Sequence, residues 1–216
     1  MENPGLTLYH FPGACSGVAV CALEAAGLDY ELKLIDITAG QQSEPSYLAL
    51  SALGKVPLLL IDGVPLSENA AILTYIAALR PEAGLFPADS APRARAEAVG
   101  GLSFCGGTLH PIIRGIANPQ RLTDGDIEGV RSRSKELAKK SFGYADRRLA
   151  ERGWWLGERS IVDVYLYWAF GVARNAGFDV SPFAALVALE DRLKAEMPGF
   201  AAMLDINARA RAELGH

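Results

Sequence analysis

A cysteine in a turn that opens a helix is the first candidate for chemistry in this chain. Pro12-Gly13-Ala14-Cys15-Ser16 follows a short apolar run and precedes a helical pattern, so Cys15 falls at or just inside a helix N-terminus. The partial positive charge of a helix start favours a thiolate there. Ser16 adds a hydroxyl to the same turn. Cys21 lies six positions on, so no Cys-x-x-Cys dithiol forms around Cys15, and Cys21 is expected to face the core. Cys15 itself could be no more than a small buried hydrophobe, the common fate of a free cysteine.

A second stretch, Gly54 to Leu73, holds binding rather than covalent chemistry. Two short apolar runs flank Asp62-Gly63, a strong local hairpin signal. Pro57 opens the first run, where a missing N–H is tolerated at an edge or at a strand's first residue. With Val56–Pro57 in the cis form, the N–H and C=O of Val56 would face outward and could take a peptide-like ligand as an added strand. Ser67-Glu68-Asn69 follows and starts a helix, with Ser67 read as its capping hydroxyl. Free N–H groups at that start suit a carboxylate, and the Glu68 side chain suits an ammonium. One end of a small zwitterion fits the pair, although the same residues also cap an ordinary helix.

Composition bounds the alternatives. The chain has 216 residues, half of them hydrophobic, enough for one large domain or two small ones with a sizeable core. A net charge of −4 with no basic stripe argues against nucleic acid as a partner. No Lys or Arg precedes Lys33, and Pro12, Gly13 and Gly17 break the first apolar stretch, so neither a signal peptide nor a membrane span is expected. Cys15, Cys21 and Cys105 form no disulfide framework or metal motif, and a cytoplasmic protein with reduced thiols is expected.

The elements that must position these residues read in order. Leu6–His10 is a strand, Ala14–Ala26 a helix closed by Gly27, and Tyr30–Ile35 a second strand, parallel to the first through a right-handed crossover. The hairpin and the helix after Ser67 complete a βαβ-ββα order, an α/β thioredoxin-like domain spanning residues 1–80. Residues 81–90 have linker composition, and 91–216 read as all-helical. Within that half the pairs Gly100-Gly101 and Gly106-Gly107 interrupt a long helix over 91–116. Each glycine costs about 1 kcal/mol against alanine, so close approach to a partner or ligand, or a kink, is expected there. Thr123-Asp124-Gly125-Asp126 starts a charged helix that runs to about Arg152, and Trp154-Trp155-Leu156-Gly157 forms a buried aromatic turn. Ser160 and Asp163 form a capping pair ahead of an apolar run, and two further helices lie near 183–196 and 200–211.

Val-Pro, hairpin and Ser-Glu-Asn together resemble the glutathione-binding half of the cytosolic glutathione transferases. The Pro-Gly-Ala-Cys-Ser turn resembles most closely their bacterial beta class, and Ser160-x-x-Asp163 is similar to the box that nucleates the core helix of their helical domain. The resemblance spans nearly the whole chain. It implies a glutathione transferase in which glutathione, the co-substrate, attacks a small hydrophobic electrophile, with no metal cofactor. Cys15, with Ser16 near by and His110 from Leu109-His110, would address the sulfur. Val56 and Pro57 would pair with the cysteinyl backbone, and Glu68 and Asn69 would hold the γ-glutamyl end. Gln42, or Gln41, would stand where relatives carry a lysine for a carboxylate. His10 replaces a second tyrosine and, with Phe11, would wall the electrophile pocket. The family also implies a homodimer. Two other outcomes share the fold: glutathione-dependent thiol-disulfide exchange through Cys15, and a non-catalytic ligand-binding or protein-interaction module.

Overall fold

The computed structural model describes residues 4–89 and 91–215. Strand β1 (Leu6–His10) leads through a tight turn into α1 (Ser16–Ala25), and β2 (Glu31–Leu34) returns parallel to β1. The short α2 (Pro45–Leu48) precedes β3 (Leu58–Ile61) and β4 (Val64–Ser67), joined at Asp62-Gly63, and α3 (Asn69–Leu79) closes the set. The sheet order is β2-β1-β3-β4, with β3 antiparallel to both its neighbours. Leu8, Leu58 and Leu59 are fully buried in the sheet, and Val18 to Leu23 bury nearly a whole helical circumference of α1. That continuous apolar run is what a helix enclosed on several sides requires.

Helices α4 (Pro92–Ser103), α5 (His110–Ala117), α6 (Ile127–Arg152), α7 (Ile161–Asn175), α8 (Ala184–Val187) and α9 (Leu189–Glu196) follow. Asp126 caps α6 by accepting the Gly129 N–H at 2.8 Å. The capping box on α7 is complete. Buried Asp163 accepts from the Ser160 N–H at 2.9 Å and its hydroxyl at 2.8 Å, and from the Trp155 N–H at 2.8 Å. The aromatic turn is thereby tied to the start of α7.

Three expectations are corrected. Compact packing divides the chain into one unit reaching Leu85 and a second over Phe86–Met197. The stretch from Pro198 onward rejoins the first unit, so a helical domain running to the C-terminus is not what forms. Its helix, α10 (Phe200–Glu213), packs along α1, because Gly199 lets the chain approach: a Cβ there would lie 2.5 Å from the Cys21 carbonyl oxygen. Next, the long helix over 91–116 is broken by a π-helical segment, Phe104–Leu109. Gly101 and Gly106 make room for Trp155 and Tyr165 of the same unit, while Gly100 and Gly107 face open space. Last, Ser67 ends β4 and makes no cap hydrogen bond; Glu68 is the residue that precedes α3.

Candidate functional site

The turn after β1 is built to present Cys15. Gly13 has φ +86, a left-handed conformation that suits glycine, and the Ala14 N–H bonds back to the Phe11 carbonyl at 3.1 Å. Cys15 then stands as the residue immediately before α1, 5% exposed. Its Sγ lies 3.8 Å from the Val56 carbonyl oxygen, and its own carbonyl accepts from Asn69 Nδ2 at 3.0 Å. Cys15, Val56 and the start of α3 are therefore gathered at one place in the first unit.

Val56 is held from behind. The Tyr47 hydroxyl donates to the Lys55 carbonyl at 2.7 Å, and Ser51 Oγ lies 3.3 Å from both the N–H and the carbonyl of Lys55. Val56 packs partly buried against the Tyr9–Tyr47–Leu58 cluster. The Val56–Pro57 peptide bond is cis, and the Val56 N–H has no acceptor among the described residues. Glu68, exposed, adopts φ +70 and ψ 121, unusual for a residue with a side chain and costing about 1–3 kcal/mol. Pairing of β4 on one side and the first turn of α3 on the other impose it. As at any helix start, the first N–H groups of α3 lack intrahelical acceptors.

Asn69 is buried and only half satisfied. Its amide nitrogen ties α3 to the Cys15 turn, while its Oδ1 is buried with no donor among the described residues. An unpaired buried acceptor beside exposed Glu68 favours a hydrogen-bond donor from outside. Gln42, half-buried in the turn over Gln41–Ser43, likewise has a buried Oε1 without a donor. Gln41 is occupied: its Oε1 accepts the Asp36 N–H at 2.8 Å.

Two expected site residues turn inward. Ser16 is fully buried, with its Oγ 2.8 Å from His10 Nδ1 and 3.3 Å from both the N–H and the carbonyl of Phe11. Its hydroxyl is spent inside the turn and does not reach toward Cys15's ligand side. His10 is also fully buried, so it does not wall a pocket; burial pushes its pKa down to about 4, keeping the ring neutral. With Nδ1 protonated, the ring donates to Ser16 Oγ, whose own hydroxyl donates to Phe11. Phe11 remains partly exposed beside the Cys15 turn.

His110 lies in the second unit. Its ring stands edge-on to Trp168 at 4.8 Å, and its Nε2 accepts from Arg114 Nε at 3.2 Å. Acceptance there calls for the neutral ring with its proton on Nδ1. Cys21 and Cys105 have no part in the site: both are fully buried, and burial pushes Cys21 up to about 12 and Cys105 well above the usual thiol range. Sequence reasoning missed Asn207 on α10, whose Oδ1 accepts the Gly13 N–H at 3.1 Å. The available signal was a polar residue on the buried stripe Phe200, Met203, Ala210. Among the described residues no cluster of His, Cys, Asp or Glu could hold a metal ion, and no helix is long and apolar enough to cross a membrane.

Comparison with known proteins agrees with this geometry. Residues 4–78 match the family model for the glutathione S-transferase N-terminal domain. A glutathione S-transferase of Xanthomonas campestris pv. campestris is 34% identical over 211 residues, covering 96% of this chain and 98% of the relative. A solved glutathione S-transferase from Xylella fastidiosa superposes with a TM-score of 0.85 at 31% identity, over 94% of this chain and 98% of that one. A glutathione transferase homologue from Sulfitobacter, solved with bound glutathione, gives 0.83 at 28% identity, over 93% and 97%. With near-complete coverage at this identity and a cysteine turn, Val-Pro edge and helix start brought together, the chain belongs to the cytosolic glutathione S-transferase family.

Proposed function

We propose that this protein binds glutathione along Val56 and activates its thiol for attack on a small apolar electrophile. The observation that carries the reading is the convergence of the unpaired Val56 N–H, Cys15 Sγ and the start of α3. The cysteinyl residue of glutathione pairs with the Val56 backbone as an added strand. Its γ-glutamyl ammonium is taken by Glu68 and the unpaired Asn69 Oδ1, and its α-carboxylate by the N–H groups that open α3. Gln42 donates a side-chain amide N–H to the glycyl carboxylate, without the charge a lysine would bring.

The sulfur then faces the turn that carries Cys15. The glutathione thiol gives up its proton to solvent or to a neighbouring base, and the thiolate forms a bond to the electrophilic carbon. A halide, where the electrophile carries one, leaves with the bonding electron pair. The protein's contribution is orientation and stabilisation of the anion by the start of α1. Phe11, partly exposed beside the Cys15 turn, is the candidate wall for the electrophile.

Calorimetric titration with glutathione, followed by conjugation of chlorodinitrobenzene, tests the reading. Binding with conjugation supports it. Activity toward disulfides alone, abolished by Cys15→Ser, moves the assignment to thiol-disulfide exchange, and no binding at millimolar glutathione leaves a non-catalytic module. A homodimer is part of the proposal, supported by Leu53 at 68% and Val64 at 67% exposure on the first unit. Sedimentation should give twice the 23.0 kDa chain mass. Three cysteines outside any disulfide suit a cytoplasmic setting.

A further inference from the structure

We propose that Asn207, on the last helix of the chain, is a positioning residue for Cys15. It holds the turn carrying Cys15 from 194 residues away in sequence. The inference builds on the site assigned above and adds the element that fixes its geometry.

Asn207 brackets Cys15. Two residues before it, the Gly13 N–H donates to Asn207 Oδ1 at 3.1 Å; two residues after it, Gly17 lies so close that a Cβ would sit 3.3 Å from Asn207 Nδ2. The amide has only one workable orientation, because Nδ2 donates to the Met203 carbonyl at 2.8 Å while Oδ1 accepts from Gly13. Turning the group over would set donor against donor at Gly13 and acceptor against acceptor at Met203.

The helix that carries Asn207 cannot slide. Two turns earlier, a Cβ on Gly199 would lie 2.5 Å from the Cys21 carbonyl oxygen and 2.6 Å from the Ala25 nitrogen, and Cys21 Sγ lies 3.8 Å from the Pro198 carbonyl. Helices α1 and α10 are thus registered antiparallel at two places, one near Cys21–Ala25 and one at Gly13–Gly17. Arg211, one turn beyond Asn207, lies over Gly13, where a Cβ would meet its Nη2 at 2.8 Å. Side-chain space at Gly13 is filled by the far end of the chain. Loss of the Asn207 bond would free the turn without unfastening α10, since the Gly199 contact remains.

The test reads Cys15 directly and needs no glutathione. Iodoacetamide labelling of the full chain, resolved by peptide mass spectrometry, follows Cys15 separately from Cys21 and Cys105. In Asn207→Ala, Cys15 should label about tenfold faster than in the wild type, as expected when one ordinary hydrogen bond no longer holds a local opening closed. Cys21 and Cys105 should stay protected. Asn207→Asp keeps an acceptor for the Gly13 N–H while losing the donor to the Met203 carbonyl, and should bring Cys15 labelling down to a rate between those of Asn207→Ala and wild type. In chlorodinitrobenzene conjugation, Asn207→Ala should lower kcat about fivefold with KM for glutathione unchanged, because a loosened turn misplaces the sulfur's partner rather than the peptide's anchor. A Cys15 rate unchanged in Asn207→Ala overturns the proposal, as does simultaneous exposure of all three thiols, or failure of Asn207→Asp to label more slowly than Asn207→Ala. Absence of conjugation in the wild type would refute the transferase reading alone and leave the labelling result standing.

Discussion

His10 gives the most exacting test of the physical reasoning. The ring is fully buried, and burial depresses its pKa from 6.5 to about 4. In the unfolded chain the imidazole takes up a proton as the pH falls through 6.5, whereas in the fold it resists until about 4. The unfolded state therefore binds more protons over that window, so stability is lost on acidification. Each pKa unit is worth 1.36 kcal/mol, so a displacement from 6.5 to about 4 amounts to about 3 kcal/mol. His10→Phe removes the titration and also the 2.8 Å contact to Ser16 Oγ, a pH-independent loss of about 1 kcal/mol. Urea unfolding of wild type and variant between pH 7.5 and 4, followed by circular dichroism, should show the difference moving by about 3 kcal/mol in the variant's favour. Asp163 works in the opposite direction: burial raises its carboxyl from 3.8 to about 6, so its protonation stabilises the fold as the pH drops through that range. Wild-type stability alone should thus look flat, and only subtraction of the variant isolates His10. A difference that stays constant with pH, or a His10 ring resonance titrating at 6 or above, would refute the argument.

Other outcomes follow from named contacts. Asp163→Ala strips the acceptor from the Trp155 and Ser160 N–H groups, both buried, and should cost about 3 kcal/mol in urea unfolding at pH 7. Gly54→Ala sets a Cβ 2.6 Å from the Gln42 carbonyl oxygen at φ +57, and should lower Tm and weaken glutathione binding severalfold by calorimetry. Asn69→Ala removes the 3.0 Å bond to the Cys15 carbonyl and the unpaired Oδ1, and should raise the Kd for glutathione about tenfold with secondary structure unchanged by circular dichroism.

Much of the fold was legible because local signals agreed. The short apolar run Leu6–His10 forms the first strand, Asp62-Gly63 turns the hairpin, and Ser160 with Asp163 starts α7. The Cys15–Val56 meeting was also legible, since both motifs lie at fixed points of one strand order. What escaped is tertiary. Ser67 reads as a cap, yet strand pairing with Leu58 claims it and passes the helix boundary to Glu68. Ser16 and His10 carry reactive groups, but six residues of spacing conceal that they satisfy each other. Periodicity marks the apolar stripe of α10 without saying which helix receives it, so its return to α1 could not be foreseen.

That return has a consequence for how the protein is made. A ribosome delivers the chain from its first residue, and the sheet and α1 emerge early. The bond that secures Gly13 must wait until Asn207 has left the exit tunnel. Until then the nascent thiol sits in an unfinished turn, and the site matures only once Asn207 is free to dock against it.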